Sequence, residues 1–104
     1  MNKKQLVMKR FKLKPTNPND VQVEQLLHPA TILHVLFDMY GSNKIHSPQE
    51  WLMMTLITYF ANPLCLDDDM VDILHKYMQP FSDKQLRMIK KNARRTYYKL
   101  LKEQ

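Results

Sequence analysis

The sequence predicts an all-α domain: a compact bundle of four to five short helices around a buried central helix at about 48–61, with a long amphipathic helix at the C-terminal end. Three observations carry this reading. One glycine in 104 residues leaves little material for tight hairpins, whereas six prolines can mark the joints between helices. Residues 48–61, PQEWLMMTLITYFA, carry no charge after Glu50, and a helix apolar on every side has to be enclosed by neighbours. Residues 82–102 instead repeat apolar side chains at steps of three and four, as a helix docked by one face does. The length suffices to bury one core, and with 44% hydrophobic residues most of the chain can take part in it.

Residues 1–16 fit no clean period. Leu6, Val7, Met8, Phe11 and Leu13 are interrupted by six cations, and the segment reads as a basic, flexible N-terminal arm ahead of a single helical domain over 17–104. Asn17-Pro18-Asn19-Asp20 reads as a turn into a helix at about 20–28, which Pro29 closes by disfavouring helical geometry at His28. A second helix at about 30–40 places Ile32, Leu33, Leu36, Phe37 and Tyr40 on one stripe, and Gly41 supplies a C-terminal cap. The central helix follows, started by Ser47, Pro48 and Glu50 as a capping box with proline in the first turn, and stopped at Asn62-Pro63. Asp67-Asp68-Asp69 opens a fourth helix, with Met70, Ile73, Leu74 and Tyr77 facing inward. Ser82 and Gln85 form another capping box at the head of the last helix. There Leu86, Ile89, Ala93, Tyr97 and Leu100 fall within an arc of roughly 80° at 100° per residue.

Charge placement gives the functional lead. Residues 1–14 hold six cations and no acid, residues 15–81 hold two cations against eight acids, and residues 82–104 hold eight cations against two acids. On the last helix Lys84, Arg87, Lys91, Arg94, Arg95, Lys99 and Lys102 gather opposite the apolar stripe, with Tyr98 and Met88 among them. Such a face matches a phosphate backbone: each neutralised phosphate releases condensed counterions, arginine can fork onto phosphate oxygens, and a tyrosine offers a stacking surface. The bland alternative is a solvated helix face, but that normally intersperses acids among its cations. The expectation is a small nucleic-acid-associated accessory or regulatory protein that contacts phosphates through Lys84, Arg87, Lys91, Arg94, Arg95, Tyr98, Lys99 and Lys102. The competing expectation is a protein-binding adaptor or inhibitor, with an acidic protein partner and no nucleic-acid contact. The link Met78-Gln79-Pro80-Phe81 also has the length of a helix-turn-helix turn, though it lacks the usual glycine.

Other chemistries find little support. There is no nucleophile elbow and no glycine-rich phosphate loop, so no enzyme is expected. The acidic run 67–69 with Asp72 lacks the ligand spacing and the turn glycine of a calcium loop and reads as helix capping. His28, His34, His46 and Cys65 show no metal spacing, and neither a metal nor a cofactor is expected. A lone cysteine suits a reducing compartment, no signal-peptide pattern is present, and the longest apolar run is about half of what spans a bilayer. Together these give the expectation of a soluble cytoplasmic protein with no membrane partner. Eight methionines suit an irregular helical core, and the apolar surplus of the second and central helices leaves homodimerisation open.

Overall fold

A computed structural model of the protein describes residues 1–14, 19, 29–41, 45–63 and 66–102. Five helices carry the described chain: α1 (Lys3–Phe11), α2 (Pro29–Tyr40), α3 (Pro48–Ala61), α4 (Asp68–Tyr77) and α5 (Asp83–Lys102). The helix expected at about 20–28 lies outside the described residues.

The central position of α3 follows from its composition. Leu52, Leu56 and Ile57 are fully buried, and Met54, Tyr59 and Ala61 nearly so, while α2, α4 and α5 all pack against it. Its two buried threonines need no outside partner. The Thr55 hydroxyl donates to the Trp51 carbonyl at 2.8 Å and the Thr58 hydroxyl to the Met54 carbonyl at 2.9 Å, so each polar group is satisfied within the helix. The expected capping box is formed: Ser47 Oγ accepts from the Glu50 N–H at 3.2 Å, and Glu50 Oε1 accepts from the Ser47 N–H at 3.4 Å. On one flank of α3 the Trp51 and Tyr77 rings stack at 5.7 Å and 9°, joining it to α4.

In α2, Ile32 and Leu36 are buried, and Gly41 takes a positive φ of 90° where the helix stops, the geometry a C-terminal glycine is there to supply. In α4, Asp67 Oδ1 accepts from the Met70 N–H at 2.9 Å and Asp68 and Asp69 sit in the first turn. The acidic run is therefore spent on capping this helix, as expected. In α5, Ser82 and Gln85 exchange bonds of 3.2 and 2.8 Å at the head of the helix, and Leu86, Ile89 and Ala93 are buried along the docked face.

Residues 1–14 depart from the expected flexible arm, because residues 3–11 form a helix that belongs to the core. Val7 and Phe11 are fully buried and α1 packs on both α4 and α5. Its N-terminus is closed by a capping box between Asn2 and Gln5, with bonds of 2.8 and 3.1 Å. Its C-terminus is a Schellman motif: the Lys12 N–H donates to the Lys9 carbonyl at 3.2 Å and the Leu13 N–H to the Met8 carbonyl at 2.8 Å. Lys12 occupies the left-handed position of that motif, with φ 54° and ψ 46°. The apolar residues looked aperiodic because only Val7 and Phe11, one turn apart, belong to the buried stripe, whereas Leu13 is brought inward by the reversal at Lys12.

Among the described residues, two ion pairs fix α1 to the rest. Lys3 Nζ lies 3.3 Å from Asp72 of α4, both ends exposed. Arg10 is less exposed and better held: its Nε donates to Asp83 Oδ1 at 2.8 Å and its Nη2 to the Phe81 carbonyl at 2.7 Å. The Arg10 hydrogen bond, opposed by burial and aided by the charges of Arg10, Arg87 and Lys9, holds the Asp83 carboxyl below the usual carboxylate range.

Candidate nucleic-acid interface

The outer side of α5 is built by the same periodicity that docks its inner side. With Leu86, Ile89 and Ala93 buried, the positions about 180° away turn to solvent, and Lys84, Arg87, Lys91, Arg94, Arg95, Tyr98, Lys99 and Lys102 are all exposed. The helix runs about 30 Å, so these cations form a strip rather than a spot. Its only acid, Asp83, is engaged by Arg10 of α1. Among the described residues none of the seven cations of this face is in an ion pair. Three acids of the middle of the chain are used elsewhere: Asp67 caps α4, Asp72 meets Lys3, and Glu50 serves the box of α3.

Aromatic rings edge the strip. Tyr98 is 55% exposed and lies 5.7 Å from Tyr97, which in turn lies 6.5 Å from Phe60 of α3. Arg94 is not a free-swinging side chain, since its guanidinium carbon sits 5.1 Å over the Phe60 ring. That contact orients a planar cation at the edge of the face without consuming its donors. Partial burial, aided by Tyr98, pushes the Tyr97 phenol above its usual range, so its hydroxyl stays protonated at neutral pH.

Three cations outside the expected set join the strip along the edge that faces α1. Lys90, between the apolar stripe and the basic face, reaches across to the Lys12 carbonyl with its Nζ at 3.1 Å. Partial burial, followed by the charges of Arg94, Lys12, Arg87 and Lys14, holds the Lys90 ammonium below the usual lysine range. Lys90 thus lies where cations of α5 meet those of the segment that follows α1. The sequence signal for it was angular: Lys90 sits one step outside the apolar arc, on the side of Arg94. Lys12 and Lys14 carried no such signal, because only the packing of α1 on α5 brings them there.

Compared with protein-family models, with curated proteins and with solved structures, the chain matches none of them. The functional reading therefore rests on the geometry. No group of three or more His, Cys, Asp and Glu side chains that could hold a metal ion gathers among the described residues, and no described helix is long and apolar enough to cross a membrane.

Proposed function

We propose that this is a small nucleic-acid-associated accessory or regulatory protein that contacts the phosphate backbone through the exposed face of α5. The observation that carries the reading is the strip of seven cations, none in an ion pair among the described residues, on a single helix whose one acid is occupied by Arg10. A solvated face of this length would ordinarily mix signs, because opposite charges three or four residues apart support an exposed helix and like charges oppose it. Lining up cations here works against the helix, and a polyanion along the strip relieves that repulsion while releasing counterions. Arg94 and Arg95 supply forked contacts to phosphate oxygens, Tyr98 supplies a ring for stacking or a hydroxyl for a phosphate bond, and the lysines supply point charges.

The contacts are backbone contacts, so the reading implies binding with weak sequence preference. Its test is fluorescence anisotropy with labelled duplex and single strand at low salt. The parent protein binds, whereas the triple charge reversal Lys91→Glu, Arg95→Glu, Lys99→Glu does not, with an unchanged helical circular dichroism spectrum. Absence of binding by the parent protein would rule the reading out.

A further inference from the structure

The edge of the basic face is also the wall of a cleft. Between the C-terminal cap of α1 and the middle of α5 lies a half-open cavity of about 410 Å³ whose lining includes Lys12, Lys14, Lys90, Arg94, Tyr59 and Phe60. The volume lies within the range of small-ligand sites. Its charged lining is wholly cationic, with no carboxylate among the described residues around it.

Three features indicate that the cations are held there rather than gathered by chance. Lys90 is tied to the Lys12 carbonyl at 3.1 Å and Arg94 is laid on Phe60 at 5.1 Å, so two of the four are positioned before any ligand arrives. The segment bearing the other two is anchored in turn, since the Tyr59 hydroxyl donates to the Lys14 carbonyl at 3.4 Å and Leu13 between them is buried. Finally, Lys12 is the one non-glycine residue with positive φ among the described residues. A glycine would close the Schellman motif at lower conformational cost, so the lysine stands there against the preference of the backbone.

We propose that this cleft is a binding site for a chain of linked phosphates, such as pyrophosphate or the polyphosphate tail of a nucleotide. A single phosphate monoester brings about two negative charges at neutral pH. Four cations around one cleft are matched by two or three linked phosphates, not by one. Lys12 and Lys14 meet the chain from the α1 side and Lys90 and Arg94 from α5, with Arg94 forking onto one phosphate. Phe60 lies beneath Arg94 in the wall of the cleft. The assignment does not rest on the α5 face as a nucleic-acid contact: the two share Arg94, but Lys12, Lys14 and Lys90 are outside the eight residues assigned to that contact.

The test is isothermal titration calorimetry of the full chain with inorganic pyrophosphate at low salt, with sulfate at equal ionic strength as the control anion. The expected result is one site per chain, preferred over sulfate. It should be weakened about tenfold by Lys14→Ala and by Lys90→Ala and unchanged by Lys4→Ala, an exposed position near the opposite end of α1. Lys14 is exposed, and among the described residues its hydrogen bond is made through its carbonyl, so Lys14→Ala remains interpretable if Lys90→Ala lowers stability. A 5′-triphosphate oligonucleotide compared with its 5′-hydroxyl form, and with free nucleoside triphosphate, assigns the source: preference for the triphosphate strand places the phosphates on a strand end, preference for the free nucleotide on a small molecule. No binding of pyrophosphate, or binding that Lys14→Ala leaves intact, overturns the proposal. If the 5′-hydroxyl strand still binds in that case, the reading of the α5 face stands.

Discussion

The burial of α1 makes a quantitative prediction that separates a core helix from a basic arm. Phe11 is 0% exposed and sits one turn from Val7, also 0% exposed, at the junction of α1 with α4 and α5. Truncating a buried phenylalanine to alanine removes its transfer free energy and leaves a cavity that the surroundings fill only in part, typically costing about 3–5 kcal/mol. A domain of this length has a total stability of about 5–15 kcal/mol. Phe11→Ala therefore removes a large share of it and lowers Tm by roughly 12–20 °C, at about 4 °C per kcal/mol for a domain of this size. Urea unfolding followed by circular dichroism measures this directly, and the slope with denaturant should stay that of the parent protein, since the same surface unfolds. Val7→Ala follows in the same direction with a smaller loss, about 2 kcal/mol for the methyl groups removed. If both variants stay within about 0.5 kcal/mol of the parent, the level expected of surface positions, α1 is not part of the core and the cleft it forms with α5 does not exist.

Further outcomes follow from the contacts of α1 with α5. Arg10→Met deletes the bond to the Phe81 carbonyl, about 1 kcal/mol, and returns the Asp83 carboxyl toward its ordinary range, which NMR titration would register. Because the Asp83 pKa is lowered in the fold, the stabilisation from its pairing is complete above the ordinary carboxylate pKa and is lost as pH falls through the lowered value; Arg10→Met should flatten that acid limb. Lys12→Gly should raise stability by up to about 1 kcal/mol in urea titration, because the left-handed φ of 54° suits glycine better than lysine. A loss instead would show that the lysine side chain supports the fold. The lowered pKa of Lys90 means that its charged form is disfavoured in the folded state. Stability should then rise as pH climbs through that lowered value toward the ordinary lysine range, and Lys90→Met should remove this rise while stabilising the protein at neutral pH.

What the sequence shows plainly is whatever local rules decide. The apolar run 48–61, the boxes Ser47 with Glu50 and Ser82 with Gln85, the glycine after Tyr40 and the acids before Met70 each have one physical reading, and each stands in the structure as read. The outer face of α5 was legible for the same reason, since 100° per residue places Lys84 through Lys102 opposite Leu86, Ile89 and Ala93. What the sequence hid depends on packing between distant segments. Asn2 with Gln5 is a capping box in the less familiar pairing, and of the apolar residues of α1 Val7 and Phe11 are buried while Leu6 and Met8 flank them part-buried, so no period announced the helix. The pairing of Arg10 with Asp83, 73 residues apart, and the approach of Lys12 to Lys90, 78 residues apart, left no trace in any local pattern. The cleft was invisible for that reason, although every cation in it was already counted in one of the two basic ends.

The account depends most on the open cationic strip of α5, and the salt dependence of nucleic-acid binding probes it most directly. Anisotropy titrations with duplex over a range of monovalent salt should give log affinity falling linearly with log salt at a slope near −6 if about seven phosphates are contacted, and reversing Lys91, Arg95 and Lys99 should abolish the binding. A slope near zero, or no binding at the lowest salt, would contradict it.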